Sequence, residues 1–220
     1  MLFLHGYLSS KEAFTAQIDY FSRFYRVTAI DFLGFGNSAP LPAAYSVGDY
    51  AEWTKKVVSA LGLEKPHIVA HSFGCRVAVK MVGADNGAFG KLVLTGAAGI
   101  VLNRGFVYRA KVKAYRICKR IAPKFAERKF GSEEYRSLSP LQKESYKKIV
   151  NEDLRNAART VQNRTLIVQG KDDTVTPLKA AEIYLENFPY ARLRLMDGGH
   201  FAFVEAPLTF NLITEEFLYE

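Results

Sequence analysis

Long apolar runs are missing from these 220 residues, although 49% of them are hydrophobic. Each apolar stretch is short and interrupted by charge, well below the roughly 20 residues a membrane-spanning helix needs. The opening Met1-Leu2-Phe3-Leu4 runs straight into His5-Gly6 and leaves no room for the apolar region of a secretory signal. A soluble, cytoplasmic protein is the expectation. Cysteine is scarce too: Cys75 and Cys118 show no metal-ligand spacing, so no metal site is expected and both read as reduced, structural thiols. Repeats and low-complexity segments are absent, and aromatics at 13% are too many for a disordered chain. One globular domain with a sizeable core fits this length.

Acidic residues are nearly lacking between positions 104 and 129. That segment carries ten lysines and arginines against Glu127 alone, a local charge of +9, whereas the whole chain carries +8. The basic excess therefore sits in one place. Such a patch attracts anionic substrates, acidic partners, nucleic acid or anionic lipid, and it is also what a solvated helix face looks like. No recognised nucleic-acid motif accompanies it, so nucleic acid is not an expected partner.

What is present is a rhythm of β-branched runs followed by helical patterns, the mark of a mainly parallel α/β sheet with helices on both faces. Strands are expected at 2–4, 27–30, 68–70, 91–95, 165–169 and 192–196. A helix is expected over 46–61, with Asp49 and Glu52 near its positive end, and another from the end of the third strand to about 82. Residues 99–164 break the rhythm. Val107, Ala110, Ala114, Ile117 and Ile121 recur at helical spacing beside a stripe of Arg109, Lys113, Arg116 and Arg120, and a further helix is expected over 141–161. The expected division is 1–98 and 165–220 as one core, with 99–164 inserted as a helical cap over the ends of the strands.

The most informative stretch is His67-Ile68-Val69-Ala70-His71-Ser72-Phe73-Gly74. A serine between a buried strand and a helix, with small residues two positions to either side, suits a sharp turn that presents its hydroxyl. A serine hydroxyl needs a histidine base and a carboxylate to orient that base. Asp173, with Asp172 beside it, follows one strand, and His200 in Asp197-Gly198-Gly199-His200 follows the next.

Four motifs together resemble the α/β-hydrolase family, in its capped, serine-dependent form. They are His5-Gly6 after the first strand, Asp31-Phe32-Leu33-Gly34-Phe35-Gly36-Asn37-Ser38, the elbow 70–74, and the segments 170–177 and 199–200. The resemblance spans nearly the whole chain apart from the detail of the cap, which it places after the sixth family strand. It departs in three places. Ala70 stands where the elbow usually has glycine, Cys75 replaces another common glycine, and the chain starts on the strand carrying His5-Gly6, where relatives have two earlier antiparallel strands. The implied sheet lacks those two strands, either as a compact version or because the beginning is missing, and its edge would need cover from charge or from another subunit.

The resemblance implies a Ser72, Asp173 and His200 triad, the spacing within 170–177 choosing Asp173 over Asp172. It implies an oxyanion hole from the backbone N–H groups of Phe73 and Tyr7, with Leu8 next in line. His5 and Asp31 are expected to order their own loops, His67 to lie at the surface or cap a strand, and His71 to be structural with its side chain turned away from the Ser72 side. The implied activity is hydrolysis of a small-molecule carboxylic ester through an acyl-enzyme, with no cofactor. Cleavage of a carbon–carbon bond in a dicarbonyl compound is the close rival, and a non-catalytic binding or scaffold protein on the same fold is the alternative from another class. Phe106, Tyr108 and Tyr115 would suit an apolar substrate portion or simple packing.

Overall fold

The computed structural model describes residues 1–102, 135 and 138–220. Six strands form one sheet: β1 (Leu2–Leu4), β2 (Thr28–Ile30), β3 (Ile68–His71), β4 (Leu92–Thr95), β5 (Thr165–Gly170) and β6 (Ala191–Met196), in the order β2-β1-β3-β4-β5-β6. Every pairing is parallel. The described sheet thus holds no antiparallel strand. Each expected strand is found within a residue or so of its place.

Alternation along the strands builds two separate cores. Leu2, Leu4, Ile68, Ala70, Leu92, Leu94 and Ile167 face one side and Phe3, Val69, Val93, Leu166 and Val168 the other. Both sides are covered, which is why these strands read as continuous apolar runs. The first face packs against α2 (Val47–Ala60), α3 (Phe73–Ala84), α5 (Arg155–Thr160) and α6 (Leu178–Asn187); the second against α1 (Thr15–Phe21), the short α7 (Ala202–Glu205) and α8 (Pro207–Tyr219). Each fully buried Phe, Leu, Ile or Val contributes about 1.5–3 kcal/mol. The helix α2 starts where its sequence says: Ser46 caps the Asp49 N–H while the Asp49 carboxylate caps Ser46.

The helix expected over 141–161 is two helices, α4 (Pro140–Asn151) and α5. The Asp153 carboxylate accepts from the N–H groups of Val101 and Arg155, which fixes a turn and starts α5 afresh. Buried Arg76, on α3, donates to the Ile149 and Glu152 carbonyls at the C-terminal end of α4, where a cation is favoured. The expected helix around 107–121, its basic stripe, Phe106, Tyr108, Tyr115 and Cys118 lie outside the described residues, so the expected insertion is described only at 99–102, at 135 and from 138 onward. At the sheet edges β2 is three residues long, and β6 carries Arg192 and Arg194 paired with Glu220 and Glu216. Short, charged edges resist unwanted strand pairing. No helix among the described residues is long and apolar enough to cross a membrane.

From β1 the chain steps outward to β2, then back across β1 to β3. This reversal opens a crevice at the carboxyl ends of β1 and β3, the usual place for a ligand in a parallel sheet. The loop 5–8 leaves β1 there, and Ser72 leaves β3 beside it.

Candidate active site

The strand β3 ends at His71 and α3 begins at Phe73, so Ser72 alone makes the turn. Its φ of 49° and ψ of −107° are a conformation L-residues avoid, at about 1–3 kcal/mol. The turn is held from both sides. Ser72 N–H donates to the Thr95 carbonyl at 3.0 Å, and the backbone of β1 presses on Gly74, where a Cβ would stand 2.2 Å from the Leu4 oxygen. Ala70, in place of the usual glycine, fits fully buried, and the Cys75 thiol, also buried, donates to its carbonyl at 3.1 Å. The Ser72 hydroxyl is half-buried and makes no hydrogen bond among the described residues, to His200 or to any other.

Asp173 and His200 do meet. His200 Nδ1 lies 2.8 Å from Asp173 Oδ2. The carboxylate also accepts from the N–H groups of Val175 and Thr176 and from the Thr176 hydroxyl, at 2.8, 2.9 and 2.7 Å. Burial alone would raise the Asp173 pKa; the bonds from His200 and Thr176 outweigh it and hold the carboxyl down at about 2. An ionised Asp173 can only accept, so the bond between them places a proton on His200 Nδ1. Asp172 is exposed, with its N–H tied to the Gly198 carbonyl. That bond and Lys171 N–H to Met196 O lace the acid loop to the base loop, and the Glu205 carboxylate caps Gly199 N–H at 2.8 Å.

The loop after β1 is braced from below. His5 accepts the Phe32 N–H on Nε2 at 3.1 Å, so its Nδ1–H donates to the Gly6 carbonyl at 2.7 Å. The buried Asp31 carboxylate binds the Asn37 N–H in its own turn and, in addition, both the N–H and the ammonium of Lys11. That lysine had no signal in the sequence, because the partners are brought together only by the pairing of β1 with β2. Tyr7 packs edge-on against Phe35 and Phe73, ring centres 4.9 and 5.6 Å away, and lies 5.3 Å from Tyr146 on α4. Its hydroxyl donates to the Gln142 carbonyl at 3.2 Å, and burial raises its pKa. Gln142 reaches the Gly34 carbonyl, and Ser145 accepts the Tyr45 N–H, so α4 is seated on the loops around the crevice. The Phe73 N–H, first in α3, has no partner within the helix, and the Tyr7 N–H has none among the described residues. His67 caps, as expected, by accepting the Lys91 N–H.

Comparison with known proteins agrees with this layout. The family model described as the alpha/beta hydrolase fold matches residues 1–116, more than half of the chain. The chain belongs to the α/β-hydrolase fold family. This hydrolase is 28% identical to 2-hydroxymuconate semialdehyde hydrolase of Pseudomonas putida, over 89% of this chain and 77% of that one. It is 30% identical to the probable lysophospholipase BODYGUARD 3 of Arabidopsis thaliana, over 56% of this chain and only 25% of that protein. Among solved structures, the esterase from Exiguobacterium antarcticum superposes with a TM-score of 0.79 over 100% of this chain and 91% of that one, at 24% identity, a likeness that carries the fold alone.

Proposed function

We propose that this hydrolase cleaves a carboxylic ester through an acyl-enzyme on Ser72. The observation that carries the reading is the 2.8 Å bond between Asp173 and His200 Nδ1, which leaves Nε2 free to act as a base at the end of the sheet where the strained Ser72 stands. In this reading Ser72 Oγ attacks the carbonyl carbon as His200 Nε2 takes its proton, and Asp173 stabilises the imidazolium. The N–H groups of Phe73 and Tyr7 receive the oxyanion. Collapse of the tetrahedral species expels the alcohol, which leaves with the proton held by His200; water then repeats the sequence on the acyl-enzyme and frees the acid. The aromatic wall of Tyr7, Phe35, Phe73 and Tyr146 supports an apolar acyl or alcohol portion.

A second reading has its own support. The 2-hydroxymuconate semialdehyde hydrolase is matched along most of its length, and the same Ser72, His200 and Asp173 set would serve hydrolysis of a carbon–carbon bond beside a carbonyl. The test offers p-nitrophenyl esters of increasing acyl length and a vinylogous dicarbonyl to the wild type and to Ser72→Ala. Ester turnover abolished in Ser72→Ala supports the first reading, and turnover of the dicarbonyl alone supports the second. A folded wild type that turns over neither, and is not labelled by a fluorophosphonate, refutes both.

A further inference from the structure

His71 precedes Ser72, and its ring is where three loops of the site meet. Alternation in β3 sends His71 to the same face as Val69, towards Phe203. There its Nε2 lies 3.0 Å from the main-chain oxygen of His200, and its ring centre lies 4.7 Å from the His200 ring and 4.8 Å from those of Phe201 and Phe203. Nδ1 faces the oxyanion loop, where a Cβ on Gly6 would stand 2.8 Å away. The residue is 1% exposed, and Nδ1 has no hydrogen-bond partner among the described residues.

These contacts fix the tautomer. The His200 carbonyl can only accept, so Nε2 bears the proton. A proton on Nδ1 would be a buried donor without an acceptor among the described residues. Burial, and then the neighbouring His200 ring, lowers the His71 pKa to about 3, against the smaller opposing pulls of the bond to the His200 carbonyl and of Asp173; His5 adds to the lowering. The ring is therefore neutral wherever the enzyme would work.

We propose that His71 is a positioning residue whose Nε2–H anchors the main chain of His200 while its ring spaces that anchor from Gly6, so that base, nucleophile and oxyanion donors keep one separation. The proposal rests on the roles given above to Ser72 and His200. A ring that merely fills space would be replaceable by any ring, whereas an anchor needs the donor.

His71→Phe keeps the ring and loses the donor; His71→Gln keeps an N–H at similar reach. His71→Phe should lower kcat roughly 10- to 100-fold, with KM changed by less than about twofold, and should slow fluorophosphonate labelling of Ser72 to match. His71→Gln should recover most of both rates. Equal rates in wild type and His71→Phe, or equal losses in the two variants, would overturn the proposal. In the wild type, imidazole ¹⁵N spectra should show a neutral His71 with its proton on Nε2 from about pH 5 to 8. A proton on Nδ1 would overturn it without any variant having to fold. A wild type that the phosphonate leaves unlabelled counts against the nucleophile assignment instead, and the spectra still judge His71.

Discussion

Ser72 is fixed through its main chain, by a left-handed φ, an N–H bond to Thr95 and the pressure of Leu4 on Gly74, while its hydroxyl makes no hydrogen bond among the described residues. Asp173 is fixed through its side chain, whose two oxygens collect four donors. The two halves of the proposed triad are thus positioned by different physics. A group that must travel along a reaction coordinate is aimed by the backbone and left unbound; a group that must stay still and stay charged is saturated with hydrogen bonds.

The sharpest way to break this contrast is Ser72→Ala, which should cost about 10⁴-fold or more in turnover and leave the thermal midpoint unchanged or slightly higher. A drop in stability would mean that the hydroxyl holds the turn. Asp173→Asn should come next, at about 10³- to 10⁴-fold in kcat, whereas Asp172→Asn should leave kcat within about twofold; comparable losses in the two would undo the choice between them. Gly74→Ala attacks the backbone side of the comparison. Its methyl meets the Leu4 oxygen, so chemical denaturation should show a loss of about 1–3 kcal/mol, or more if β1 cannot shift, together with slower labelling of Ser72. The smallest effect should come from Thr176→Val, which removes one neutral donor from Asp173 and about 1 kcal/mol of stability. It also tests the pH dependence. Because the folded Asp173 pKa lies below its ordinary 3.8, its stabilisation is complete above that value and is lost as the pH falls towards 2. The valine variant should lose part of that acid-dependent stabilisation, and an unchanged stability-versus-pH profile would remove Thr176 from the account.

The strands were legible in the sequence because each leaves a local trace. Burial on both faces writes a β-branched run such as Ile68-Val69-Ala70, and a turn without room writes Gly74. What left no trace was long-range. Residues 71 and 200, 11 and 31, or 76 and 152 meet only once the sheet is assembled, so His71 read as merely structural and nothing local singled out Lys11 or Arg76. The break between α4 and α5 belongs to the same class, since Asp153 accepts the Arg155 N–H at the start of α5 and also holds Val101, 52 residues away. The C-terminal α8 could have been read: Pro207 at its start and Phe210, Thr214 and Phe217 on one face form a helical pattern.

The strand order also has a kinetic side. β1 comes before the other described strands along the chain but sits inside the sheet, between β2 and β3. Its second neighbour exists only after residues 68–71 have left the ribosome, and closing that loop forgoes chain entropy before any long-range pairing offsets it. Until then an apolar strand stands with one flank open, so folding of this domain should be slow compared with helical proteins of its size, and the early chain should be its most aggregation-prone stage.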